Sequence, residues 1–390
     1  MSGWQNFVNK VRKFEICVAP SRKRSEMEIN MSKNRVVVGM SGGVDSSVAA
    51  YLLKEQGYEV IGVTMRVWQE EGGAEGKNGA VEDARRVAAV LDIPYDTVDF
   101  RDVFQKKVID NFIAEYLAGN TPNPCIRCNR YVKWEALLSF ASKAGAEFIA
   151  TGHYARIRRL GNGRYAVSKA STVEKDQTYA LYQLTQSQLA HTLMPLGEYR
   201  KEEIRQIAEK AGLPVADKPD SQEICFIPDN DYGAFLGRHA KLPKAGNFVD
   251  LKGNVLGTHA GIHNYTIGQR KGLNIAFGQP MYVCGIRPAT NEVVLGSNED
   301  TFTDEVVCNR INYMAVEDLG GGQEMTAKIR YGSREYACRA EYIGEDVLRC
   351  RFTEKVRAAT PGQAIVFYRG DDVLGGGTVI RNIEEKNNTL

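Results

Sequence analysis

Arg35-Val36-Val37-Val38-Gly39-Met40-Ser41-Gly42-Gly43-Val44-Asp45-Ser46-Ser47 is the stretch whose reading decides the fold. A short β-branched run enters a glycine turn and leaves as an apolar helical segment, the arrangement by which a chain cradles a phosphate. The glycines let the backbone approach an anion, and the first unpaired N–H groups of the helix point at it with the positive end of the macrodipole behind them. No Gly-Lys-Ser/Thr ending follows, so this is not the lysine-bearing loop of kinases and NTPases. Its absence favours grasp of pyrophosphate while an acceptor takes the adenylate over transfer of a γ-phosphoryl group. A bare Gly-Gly pair would mean only a turn, but Ser41 to Ser46 in this order at a strand-to-helix junction argues for the anion site.

Working outward, β-branched runs alternate with amphipathic ones. Helical Ser46 to Gln56 is stopped by Gly57 and followed by a strand from Glu59 to Met65. A helix from Val81 to Leu91, a strand near Tyr95 to Val98, helices over Asp102 to Leu117 and Tyr131 to Lys143, and a strand from Glu147 to Ala150 continue the series. Such alternation specifies an α/β, doubly wound parallel sheet, whose ligands sit at the carboxyl ends of the strands. Ser41 to Ser46, Met65 and the Thr151-Gly152-His153-Tyr154 turn therefore share one edge. Glu71 to Gly79 reads as a loop over that edge. A hairpin through Gly161-Asn162-Gly163 and a helix from Lys201 to Ala211 follow, and the composition changes at Asp217 to Asp220. From Asn247 onward short strands and glycine turns prevail. The expected organisation is a basic extension (1–32), an α/β domain (33–220), a small linking domain (221–303) and a C-terminal β-barrel (304–390).

At 390 residues the chain is too long for one core, and its formal charge of +2 restricts any nucleic-acid surface to a local patch. No apolar run approaches the roughly 20 residues that span a bilayer, so no membrane partner and a cytoplasmic location are expected. The leader carries Lys10, Arg12, Lys13, Arg22, Lys23 and Arg24 against three glutamates, lacks an apolar signal core and reads as a disordered extension, with Met31 a candidate start. Of the eight cysteines, Cys284, Cys308, Cys338 and Cys350 lie in strand-like segments as small buried hydrophobes, and Cys17 is incidental.

Cys125, Cys128 and Cys225 have informative neighbours. Thr121-Pro122-Asn123-Pro124-Cys125-Ile126-Arg127-Cys128-Asn129 reads as a loop, because two prolines oppose a helix before Asn129. Its C-x-x-C spacing would suit zinc with a second ligand pair, which does not follow at that spacing, or a redox dithiol, whose strand–helix context does not match. A third use pairs the loop with a distant cysteine. Cys225, where the polar loop Asp220 to Glu223 gives way to the apolar, strand-like run Ile224, Phe226 and Ile227, is that candidate; a buried free cysteine is the competing reading. The acids Asp217, Asp220 and Glu223 leave a lowered thiol pKa unassured.

Gly39 to Ser47, Asn123 to Asn129, Thr151 to Tyr154, Lys175-Asp176-Gln177, Asp220 to Phe226, Gly268-Gln269-Arg270-Lys271-Gly272 and Thr360-Pro361-Gly362-Gln363 occur in one order along the chain. That set resembles the bacterial tRNA-specific 2-thiouridylases of the PP-loop ATP pyrophosphatase superfamily, enzymes that replace the C2 oxygen of the wobble uridine with sulfur. The resemblance implies an adenine-nucleotide hydrolase-like fold, with ATP on Gly39, Met40, Ser41, Gly42, Gly43, Val44, Asp45 and Ser46, and with Met65 and Gly152 near the adenosine. Magnesium would balance the phosphate charge. The uridine O2 would attack the α-phosphorus, after which sulfur displaces AMP. The resemblance makes Cys225 the persulfide carrier and Cys128 its attacker, forming sulfide or a transient disulfide, with sulfur drawn from a donor protein or a sulfide source.

One position departs from the family's better-known members, which carry aspartate where this chain has Cys125. Three thiols, Cys125, Cys128 and Cys225, are enough to hold an iron–sulfur cluster, and cysteine count does not separate that route from the persulfide. The resemblance also implies tRNA anticodon contacts from Asn123, Pro124, Cys125, His153, Lys175, Asp176, Gln177, Arg330, Tyr331 and Gln363, with the target base unstacked. Gln269 to Gly272 and Lys328-Ile329-Arg330-Tyr331 suit phosphate and stacking contacts, or are solvated barrel turns; His153 alternatively is a hydrogen-bonded turn histidine. An adenylating amide ligase, which has no need of Cys128 and Cys225, and a non-catalytic RNA binder with a relic loop remain as rival readings.

Overall fold

The computed structural model describes residues 34–68, 79–219, 224–227, 229–274 and 278–381. The basic extension, most of the glycine-rich segment after Glu71, and Asp220 to Glu223 lie outside the described residues.

Val36, Val37 and Val38 are wholly buried, which fits β1 (Arg35–Gly39) to the centre of a parallel sheet covered on both faces. α1 (Val44–Glu55) follows and ends before Gly57, whose φ of +86° closes the turn into β2 (Glu59–Arg66). Then come α2 (Gly79–Val90), β3 (Tyr95–Asp99), the helical runs α3 (101–117) and α4 (124–143), and β4 (Phe148–Ala150). With β7 (Thr192–Leu193) the strand order is β3-β2-β1-β4-β7, all parallel. The order reverses between β1 and β4, so the crevice beyond their carboxyl ends lies between the turns 39–46 and 151–154.

β5 (Ala155–Arg159) and β6 (Tyr165–Lys169) form the expected hairpin, but they leave the first sheet, and Ser168 of β6 pairs with Asp372. α5 (Gln186–Ala190), α6 (Lys201–Lys210) and α7 (Tyr232–His239) precede a four-stranded sheet of order β10-β11-β8-β9. Its strands are β8 (Gly246–Val249), β9 (Val255–His259), β10 (Tyr282–Arg287) and β11 (Glu292–Gly296), around Phe248, Val283 and Leu295. The last strands, β12 (Phe302–Tyr313), β13 (Met325–Lys328), β14 (Tyr336–Gly344), β15 (Val347–Arg357), β16 (Ala364–Arg369) and β17 (Asp372–Val379), are antiparallel. Pairing of β12 with both β15 and β17 closes them into a barrel. Cys308, Cys338 and Cys350 are buried in its core as expected, and Cys284 is half-buried on β10. Among the described residues no helix is long and apolar enough to cross a membrane.

The sequence reading needs two corrections. Helix begins at Pro124, not after Asn129: proline occupies the first helical turn, where its missing N–H is no loss, and the Asn123 side chain accepts from Cys125 N at 3.1 Å. Ile224 to Ile227 form a turn, not a strand, closed by Ile227 N donating to Ile224 O at 2.9 Å.

Two glycines set the crevice. Gly42 has φ +69°, and a Cβ there would stand 2.2 Å from Ala80 O. A Cβ on Gly152 would stand 2.6 Å from Ser46 N and 2.7 Å from the Asp45 carbonyl carbon. Gly152→Ala is therefore expected to destabilise the protein by roughly 1–3 kcal/mol, measured by urea unfolding. Unchanged stability would show that the two turns can separate freely.

Candidate active site

α1 has Gly43 at its N-cap with no side-chain cap hydrogen bond, so first-turn N–H groups stay available to an anion. Hydroxyls brace the loop: Ser41 N donates to Ser46 Oγ at 3.1 Å, and Ser46 Oγ and Ser47 Oγ donate to Gly43 O at 3.2 and 2.9 Å. Gly39 lies against Met65, whose Cε would be 3.2 Å from an added Cβ. Met40 and Val44 are buried in the core, so only their backbone belongs to the cradle. Asp45 Oδ1 accepts from both Tyr154 OH and Lys201 Nζ at 2.7 Å; Oδ2 has no hydrogen-bond partner among the described residues. Lys218 Nζ donates to Gly42 O at 2.9 Å and to Asp83 at 2.6 Å.

The thiols lie on a second assembly. Phe226 packs on Phe104, Phe112 and Phe235 with centroids 5.7, 5.3 and 5.3 Å away, and Cys128 and Ile224 border the same aromatic cluster. That cluster holds the Cys225 turn against α4, and it is why residues distant in sequence become neighbours. Burial pushes the Cys128 thiol up to about 12, with Cys225 and Cys125 adding to the rise and Lys133 opposing it. Cys225 is surface-exposed yet crowded; lost hydration and then Cys125 raise its thiol, again against Lys133. The three thiols thus feel one another, but among the described residues no group of three His, Cys, Asp or Glu side chains is gathered to hold a metal. They do not fit the cluster ligand set in this arrangement.

The turn after β4 touches both assemblies. Tyr154 bonds Asp45, while the adjoining His153 is buried, pairs through Nδ1 with Thr151 Oγ1 at 2.7 Å and lies 5.4 Å from the Trp134 ring of α4. Burial, then Lys133, hold its imidazole well below the ordinary value. Its side chain is buried and held by the turn.

The other expected RNA contacts divide. Arg330 and Tyr331 are exposed, and Tyr331 OH donates to Asp176 O at 3.4 Å, which sets this barrel edge against the 175–177 segment. Gln177 Oε1 accepts from Tyr154 N at 2.9 Å, and Asp176 accepts from Thr178 Oγ1 at 2.7 Å, so both brace the turn. Gln363 Nε2 donates to Thr121 O at 2.7 Å, and Thr121 N to Pro361 O at 2.8 Å, docking the barrel on the segment that leads to Asn123, Pro124 and Cys125. Arg381 donates to Ala118 O and Gly119 O at 3.0 and 2.8 Å from the same side. Lys328 is turned inward, 3.9 Å from Asp176.

Sequence reasoning missed Lys133, Lys201 and Lys218. A phosphate loop without its own lysine signals that cations must come from elsewhere, but nothing local in the sequence says which.

Residues 34–229 match the family described as "tRNA methyl transferase HUP domain", 233–297 its PRC-barrel domain and 303–379 "Aminomethyltransferase beta-barrel domain". The chain is 59% identical over 358 residues to the tRNA-specific 2-thiouridylase MnmA of Lachnoclostridium phytofermentans, covering 89% of this chain and 99% of that one. It is 54% identical to the protein of that name from Clostridium kluyveri (88% and 99% covered) and 51% identical to that from Clostridioides difficile (90% and 99%).

A buried neutral His153 must take up a proton on unfolding, so the unfolded chain binds more protons below the ordinary imidazole value of 6.5. Its contribution is present above that pH and is lost as pH falls toward the depressed folded value. Unfolding free energy measured from about pH 7 to 5 should fall less steeply in His153→Gln than in the parent; equal slopes would contradict the assignment.

Proposed function

This chain belongs to the family of tRNA-specific 2-thiouridylases, and we propose a division of its residues between an adenylating half and a sulfur half of one site. The reaction is ATP-dependent thiolation of uridine in tRNA. The observation that carries the proposed division is the 151–154 turn, which bonds Asp45 on one side and packs on Trp134 of the cysteine helix on the other.

In the first half, Gly39 to Ser46 would take the phosphates of ATP, with Met65 and Gly152 toward the adenosine. The open Oδ2 of Asp45 suits magnesium, which would neutralise phosphate charge when bound. The O2 of the wobble uridine attacks the α-phosphorus; the O–P bond forms and pyrophosphate leaves. Charge then drains from C2, and the adenylated oxygen becomes a leaving group.

In the second half, a persulfide-bearing donor supplies sulfur: the Cys225 thiolate attacks the donor's outer sulfur, the donor's S–S bond breaks and its thiol leaves, and Cys225 carries the sulfur as S–SH. Its terminal sulfur attacks C2 and AMP departs. Cys128 thiolate attacks the Cys225 sulfur, giving the thiocarbonyl and a Cys128–Cys225 disulfide, which a dithiol reductant restores. The interaction of these thiols supports the pairing, and Lys133 favours the anionic sulfur forms. Cys125 replaces the carboxylate found in better-known members at the mouth, beside Tyr331. Exposed Arg330 and Tyr331 offer charge and a stacking face to the anticodon stem-loop.

Nucleoside mass spectrometry of tRNA, after incubation with magnesium-ATP, a persulfide donor and a dithiol reductant, tests the assignment. Cys225→Ser and Cys128→Ser should lower 2-thiouridine at least a hundredfold while tRNA-dependent pyrophosphate release persists, and Asp45→Ala should lose both. Parent-like thiolation by both cysteine variants would remove the sulfur roles; iron retained in stoichiometric amount through anaerobic purification would favour the cluster.

A further inference from the structure

We propose that Lys201 and Lys218 complete the phosphate loop from outside it, as the cations that bind the pyrophosphate portion of ATP. Residues 39–47 contain no lysine or arginine. A helix N-terminus alone offers about half a positive charge, too little for a polyphosphate. The structure brings the missing charge from a segment more than 150 positions downstream: Lys201 Nζ is 2.7 Å from Asp45 Oδ1, and Lys218 Nζ is 2.9 Å from the Gly42 carbonyl oxygen. The two ammonium groups thus approach the loop at its first helical turn and at its second glycine.

The placement of Lys201 puts a largely buried cation where its charge needs an anion. It opens α6, where a cation opposes the macrodipole, and its side chain is only 9% exposed. Asp45 compensates that charge in the free protein, with Tyr154 OH sharing the same carboxylate oxygen. Asp45 itself keeps 31% of its side-chain surface open. When phosphate oxygens and their metal arrive at Asp45, Lys201 stands within reach of the new anion without moving its helix. Lys218, held between the Gly42 carbonyl and Asp83, fixes the loop's outer side in the same way. A point charge on a flexible stem suits a phosphate whose position changes as pyrophosphate leaves.

The inference rests on the nucleotide role given to the loop, and the experiment separates the two. Calorimetric titration of the full chain with magnesium pyrophosphate, and separately with adenosine, is carried out on the parent, Lys201→Met, Lys201→Arg and Lys218→Met. Lys201→Met should weaken pyrophosphate binding at least about tenfold, Lys218→Met less, and Lys201→Arg least, with adenosine affinity within about twofold throughout. Parent-like pyrophosphate affinity in both methionine variants would overturn the proposal, as would an equal loss for adenosine, which marks a role only in holding the fold. A parent protein that binds neither pyrophosphate nor ATP would overturn the reading of the loop itself. Lys218 is the more exposed of the two, so its variant decides the matter if Lys201→Met does not fold.

Discussion

The backbone of Gly152 lies against the first turn of α1 at a distance that admits no Cβ. This contact, at the point where the strand order reverses, fixes how the loop after β1 and the turn after β4 face each other. From it follow the bond between Tyr154 and Asp45, the burial of His153 and the approach of α4 through Trp134. A side chain at that position would part the crevice at the carboxyl edge of the sheet.

The sulfur half is built differently. Its rigidity comes from aromatic packing around Phe226, and its orientation from the segment 118–123, on which all three parts of the chain converge. Gln363 and Arg381 come from the barrel side, and Thr266 Oγ1 from the linking part meets Thr121 Oγ1 at 3.1 Å. Backbone carbonyls in that segment are satisfied by the other parts of the chain, so the placement of Cys125 depends on their docking. The barrel is thereby a brace for the cysteine helix.

Much of this was legible in the sequence. The valine run, the glycine loop and the alternation of periods specify the parallel sheet and its functional edge, because each signal is local. The start of α4 is less legible, because a proline that breaks a helix interior starts a helix when it stands just inside a capping asparagine. The apolar run at Cys225 is ambiguous in the same way: such a run does not say whether it pairs with a sheet or, as here, turns into an aromatic cluster. His153, Gln177 and Gln363 were recognised as important, yet their hydrogen bonds are internal, and a motif cannot reveal whether a polar residue serves the fold or the ligand. Lys133, Lys201 and Lys218 were invisible for the same reason: their meaning lies in long-range approach.

The account stands on the claim that the uridine oxygen itself is activated by ATP in this crevice before sulfur arrives. Transcribed tRNA carrying oxygen-18 at C2 of the wobble uridine tests it in a single turnover with magnesium-ATP and a persulfide donor. The account predicts that the label leaves in the phosphate of AMP, one atom for each thiouridine formed. Unlabelled AMP alongside thiolated tRNA would contradict it.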